Sequence, residues 1–190
     1  MSKTVPVGVS ARHIHLTQEH IEALFGEGYQ LTEFKPLSQP GQFAANETVA
    51  VIGSKGQFDK VRILGPARKA SQLEISRTDS FAIGVKAPVR ESGNIEGTPG
   101  VKVTGPKGEV ELDQGVIVAA RHIHFNTSDA EKWGVADQQK LKVRVGGERG
   151  VVFENVIARV SDSFALDMHI DTDEANGAGV KNGDTAEIID

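Results

Sequence analysis

The sequence predicts a mainly β protein: two small β-barrel domains related by an internal repeat, with short helices between the strands. Three observations lead there. Short Val- and Ile-rich runs recur along the chain, separated by turns that draw on its 21 glycines, the pattern of a barrel or sandwich. The stretch Arg-His-Ile-His occurs twice, at 12–15 and 121–124, each time behind an apolar run and ahead of a helix-like segment. Asp-Ser-Phe-Ala also occurs twice, at 79–82 and 162–165, and the two landmarks keep the same order. Such self-similarity marks a duplicated unit. It puts one copy in residues 1–112 and the other in 113–190, with a metal site expected at their interface.

The elements follow in order. Residues 5–15 read as one strand that ends in the first histidine pair. Thr17 is a helix N-cap with Ile21, Leu24 and Phe25 at helical spacing behind it; Gly26 and Gly28 stop that helix. Residues 29–48, with Pro36, Pro40 and Gly41, read as a loop or hairpin excursion, and the greater length of the first copy is assigned to it. Residues 48–52 and 60–64 form a hairpin about the turn from Gly53 to Gly56. Residues 73–76 are a short strand. Residues 86–100 are irregular, and loops on rigid scaffolds often carry function; this one holds Arg90, Glu91 and Glu96. A hairpin pairs 101–104 with 109–112. The strand from Gly115 ends in the second histidine pair, and Ser128 with Glu131 makes a capping box for the next helix. A further hairpin pairs 140–145 with 151–158. Strand-like runs through His169 and over 185–189 close the chain.

Composition narrows the class. A net charge of -5 supplies no basic field for nucleic acid. No apolar run is long enough to span a bilayer, and the first residues resemble neither a signal nor a transit peptide. The chain contains no cysteine, which excludes disulfides, thiolate metal sites and a cysteine nucleophile. A cytoplasmic protein is expected.

The chemistry lies in the histidines. Residues i and i+2 of a strand share a face, so His13 with His15, and His122 with His124, each set two imidazoles side by side. Each pair requires a third ligand. His169 suits one pair; His20 lies on the first predicted helix and reads as a surface residue. The other pair then takes a carboxylate, and Glu91 and Glu96 are the candidates. Three protein ligands leave an open position, which marks a catalytic centre. Imidazole and carboxylate without sulfur suit zinc, with cobalt, manganese and iron as the other candidates.

The stretches SARHIHL, AARHIHF, VRESGNIEGTPG and DMHID, in this order, resemble the PduL-type phosphate acyltransferases over nearly the whole chain. The resemblance implies two barrel domains around a two-zinc site, and interconversion of a short-chain acyl-CoA plus phosphate with acyl phosphate plus CoA. Carried onto matching positions, it implies His13, His15 and Glu96 on one zinc, His122, His124 and His169 on the other, and Arg90 as the phosphate-binding arginine. The expected partners are acyl-CoA, CoA and phosphate, with no nucleic acid and no membrane; a homo-oligomer is allowed for. Members packaged in bacterial microcompartments often carry an extra N-terminal helix, and no such targeting extension is read here. The competing reading is a two-metal hydrolase of an ester, thioester or phosphate.

Overall fold

A computed structural model describes residues 3–189. In chain order, the first elements are β1 (Lys3–Ser10), β2 (His13–His15), α1 (Gln18–Phe25), β3 (Glu33–Pro36), β4 (Phe43–Ile52), β5 (Gln57–Gly65), β6 (Gln72–Glu74) and α2 (Arg77–Ile83). Next come β7 (Val89–Arg90), β8 (Val101–Thr104), β9 (Glu109–Leu112), β10 (Val116–Ala119), β11 (His122–Phe125) and α3 (Thr127–Trp133). The last are β12 (Lys140–Val145), β13 (Val151–Val160), β14 (Asp167–Asp171), α4 (Thr172–Ala178) and β15 (Thr185–Ile189).

The chain divides into two compact units. One contains the residues up to Ser10, then 38–40 and everything from Ala120 onward. Its strands close a barrel in the order β1-β14-β11-β13-β12-β15. Alternation explains why these residues are strands. In β12, Lys-Leu-Lys-Val-Arg-Val buries every second residue, and β1 sends Val5 and Val7 into the same core as Ile123, Phe125 and Met168. Closure leaves no free sheet edge.

The other unit holds residues 11–37 and 41–119. Its nine-stranded sheet runs β7-β10-β6-β2-β5-β4-β8-β9, with β3 beside β4. Ile14, Leu24, Ile63, Leu73 and Val103 meet in its core. In both units a histidine strand lies between a parallel and an antiparallel neighbour. β2 runs parallel to β5 and antiparallel to β6; β11 runs parallel to β13 and antiparallel to β14.

Several expectations change. Two barrels were expected, but one closes and the other sheet stays open, because its order ends at the short strands β7 and β9. The run 5–15 is two strands. β1 pairs with β14 and β15 of the barrel, whereas β2 pairs with β5 and β6 of the open sheet. The segment 79–82 is helical, inside α2, whose capping box joins Ser76 to Asp79, while 162–165 is turn and loop. Asn126, not Ser128, caps α3, because its side chain accepts the Ser128 N–H. The Thr17 cap and the hairpins β4–β5, β8–β9 and β12–β13 form as expected from sequence.

Ile14 and Ile123, the middle residues of the two His-Ile-His strands, are fully buried. Ile123→Ala is expected to lower unfolding stability by about 2–5 kcal/mol, the usual cost of emptying such a position. Urea unfolding of metal-stripped protein measures it.

Candidate metal centres

The strand alternation that buries each isoleucine turns its two histidines to the other face. His13 lies opposite Glu74 across the β2–β6 pairing, and His122 lies opposite His169 across β11–β14. Two groups result: His13, His15 and Glu74, and His122, His124 and His169. Within each, one candidate ligand atom per residue lies within 4.8 Å of the others.

In the first group the Nε2 atoms of His13 and His15 stand 3.6 and 3.8 Å from the two Glu74 carboxylate oxygens. All three side chains are buried. Burial, reinforced by neighbouring His13 and by Arg68 and opposed by Glu74, pushes the His15 imidazole down to about 3. It is therefore neutral at ordinary pH, with a lone pair to offer. In the second group His122 Nε2 and His124 Nε2 are 3.1 Å apart, a separation that suits two ligands of one cation.

The backbone sets the tautomers. His13 Nδ1 lies 2.9 Å from the Ala11 carbonyl and His122 Nδ1 lies 2.8 Å from that of Ala120. A proton donated there leaves Nε2 as the ligand atom, the usual outer-shell arrangement at a metal site. The donor sets thus fit divalent transition metals such as zinc.

The arginine before each pair is a brace. Arg12 grips both Asp79 carboxylate oxygens, at 2.6 and 3.0 Å, and lies 4.2 Å over the Phe58 ring. Arg121 lies 3.2 Å from Glu174 and 5.2 Å over Phe153. Asp79 and Glu174 each complete the capping box of a helix, α2 and α4. Each histidine strand is thereby tied to the helix that follows its antiparallel partner.

Of the residues expected from sequence, the structure brings together His122, His124 and His169, and His13 with His15. Glu96 is exposed and Glu91 half-buried, and neither belongs to a group. Arg90 is exposed, with Nη1 bonded to its neighbour's carbonyl at Val89. His20 caps no metal group; its Nδ1 lies 2.7 Å from Ser71 Oγ.

Glu74, Arg68, Gln72 and Ser92 were missed. Gln72 Nε2 and Ser92 Oγ donate to Glu74 Oε1 at 2.6 and 2.8 Å, and Arg68 Nη1 reaches Ser92 Oγ at 3.4 Å. The irregular loop therefore does meet the site, but through Ser92 and the Gly93 amide, which bonds Gln72 at 2.8 Å. A usable signal existed: a short strand with a carboxylate, Gln72–Glu74, followed by a Ser-x-x-Asp helix start.

A family model for phosphate propanoyltransferase matches residues 6–181. Among curated relatives, the phosphate propanoyltransferase of Thermotoga maritima is 54% identical over 185 residues, covering 97% of this chain and 88% of the relative. That of Lachnoclostridium phytofermentans is 56% identical over 186 residues, 97% of this chain and 87% of the relative. That of Clostridioides difficile is 50% identical over 185 residues, with 97% and 88% covered.

Glu74→Ala is expected to remove about one of two bound transition-metal ions per chain, because it deletes a ligand from one of the two groups. Glu96→Ala and Glu91→Ala are expected to keep both. Elemental analysis of the three variants after dialysis decides between these carboxylates.

Proposed function

The chain belongs to the phosphate propanoyltransferase family, and from that premise we propose that it moves a short acyl group, propanoyl or acetyl, between coenzyme A and phosphate with the help of two zinc ions. It is an acyltransferase. In this reading His13, His15 and Glu74 hold one ion and His122, His124 and His169 the other. The carrying observation is the buried His13, His15 and Glu74 group with a guanidinium beside it.

That guanidinium belongs to Arg68, which takes the role first assigned to Arg90. Its backbone N–H is anchored on the Leu16 carbonyl at 2.8 Å. Its side chain meets Ser92, which in turn donates to Glu74. Its charge is felt at His15. A guanidinium presents two parallel N–H donors to a phosphate, holding it by charge and by angle. Arg90, exposed and folded onto its own strand, has no comparable link to either group.

The reaction balances without a covalent enzyme intermediate. A phosphate oxygen bonds to the thioester carbonyl carbon, the C–S bond breaks with its electron pair on sulfur, and the proton of the hydrogen phosphate leaves on the CoA thiol. With no cysteine in the chain, there is no thiol to carry the acyl group, and direct transfer between bound substrates follows. Zinc supplies Lewis acidity and stabilises a thiolate when bound. Arg68 holds the phosphate, and burial of the histidines limits water that would hydrolyse the thioester.

We also infer that the two histidine-bearing sheets are copies of one repeat. Matching pairings support it: β2 with β5 and β6, and β11 with β13 and β14. So do capping boxes directly after β6 and at the end of β14.

CoA release from propanoyl-CoA and acetyl-CoA, followed with a thiol reagent, is expected to require phosphate. Equal release without phosphate would instead identify a hydrolase. Arg68→Ala is expected to lower kcat/KM for phosphate by roughly 10²-fold, the scale of losing one charge-stabilising donor group, with Arg90→Ala much milder. The opposite order would return the phosphate to Arg90.

A further inference from the structure

Asp167 has no part in the reaction as described. It is a buried carboxylate, 5% exposed, at the start of β14. The β11–β14 register sets it opposite His124, two residues before His169 and on the same face. Its Oδ2 lies 3.0 Å from His169 Nε2. Ser38 Oγ, at 3.5 Å, is the more distant neighbour of that nitrogen.

The strand order shows which edge of the His169 ring Asp167 holds. β14 lies between β1 and β11. On the β1 flank His169 is paired with Gly8. A Cβ on Gly8 would stand 3.0 Å from His169 Cδ2, 3.4 Å from its Nε2 and 3.1 Å from Asp167 Oδ2. The Cδ2–Nε2 edge and the carboxylate therefore both lie toward β1, in space that exists because residue 8 has no side chain. His122 and His124 stand on the other flank, on β11. Nδ1 lies on the opposite edge of the imidazole ring, away from the Asp167 contact.

We propose that Asp167 is the positioning residue of the His122, His124 and His169 centre. It accepts the Nε2–H of His169, fixes the ring against β1, and leaves Nδ1 as the atom that binds the ion. Carboxylate, imidazole and metal then form a line in which the carboxylate raises the basicity of the ligand and locks its orientation. His169 thus binds through the nitrogen that His122 uses for its backbone bond.

The other centre has the complementary arrangement. Gln72 lies opposite His15, two residues before Glu74, and its Nε2 donates to Glu74 Oε1 at 2.6 Å. A carboxylate ligand has a donating amide behind it; an imidazole ligand has an accepting carboxylate. In each case the outer residue has the polarity its ligand needs. Gly8 is the permissive part of the device on the Asp167 side.

The inference rests on the two-metal reading above, and its test separates the two. Zn2+ affinity of the whole protein is measured by chelator competition for wild type, Asp167→Asn, Asp167→Ala and Gly8→Ala. Histidine tautomers are read from long-range 15N–1H NMR of zinc-loaded, 15N-labelled protein. Asp167→Ala is expected to weaken one of two zinc equivalents by about 10–100-fold, the usual effect of deleting an outer-shell partner. Asp167→Asn, whose amide oxygen still accepts from Nε2–H, recovers most of that loss. Gly8→Ala weakens the same equivalent with the carboxylate intact, and wild-type His169 carries its proton on Nε2. Two zinc equivalents of unchanged affinity in Asp167→Ala, or zinc on Nε2 of His169, would overturn the inference and leave the two-metal reading standing. A wild type that binds no zinc would overturn both. If Asp167→Ala fails to fold, Asp167→Asn, Gly8→Ala and the wild-type tautomer still decide.

Discussion

In a β-strand successive side chains point to opposite faces, and in His-Ile-His that alternation sends the isoleucine into the core and both imidazoles to the other side. Burial of Ile14 and Ile123 is worth about 1.5–3 kcal/mol each on transfer alone. It also opposes a one-residue slip, which would turn the isoleucine out of the core and put the two imidazoles in its place. The hydrophobic effect thus sets the register of β2 and β11, and register in turn selects the third member of each candidate group. Whatever stands opposite the first histidine on the antiparallel neighbour joins the group: Glu74 in one unit, His169 in the other.

The same logic explains what could be read from sequence. The histidine pairs, His169 and the hairpins were legible because each is a local pattern of residue type and spacing. The open sheet and the grouping of Glu74 with His13 and His15 were not, because both depend on pairing between distant segments. The repeated Asp-Ser-Phe-Ala was misleading: one copy is a helix and the other a turn. Aligning Gln72-Leu73-Glu74-Ile75-Ser76 with Asp167-Met168-His169-Ile170-Asp171 instead puts Glu74 on His169, and Ser76 on Asp171, both helix N-caps. Those two segments share almost no identical residues, so only the common strand-to-cap geometry relates them.

Around each group, polar side chains are arranged by need rather than by identity. Arg12 and Arg121 belong to the repeated motif, yet both face away from ligand chemistry, toward capping carboxylates and aromatic rings. A guanidinium bound twice to a carboxylate and laid over a ring holds direction as well as charge. Arg68 has no counterpart in that motif. It comes from the segment after β5 and reaches the site through Ser92, which also donates to Glu74. The arginines that brace the histidine strands and the arginine beside the first group are thus different residues.

β1 bears on how the chain reaches this state. The barrel core needs Val5 and Val7 beside residues from the last third of the sequence, and the Val9 amide bonds Asn182 across a separation of 173 positions. The open-sheet core, in contrast, is complete by Val118. During synthesis the segment from Ala11 to Ala119 has its whole core in hand while β1 still awaits partners. Domains generally fold as units in the order they emerge, and closing a loop of such length is entropically slow. The barrel is therefore the late-forming half. Until β14 and β15 leave the ribosome, β1 lacks both strands that flank it in the barrel, and Val5 and Val7 lack the core they enter.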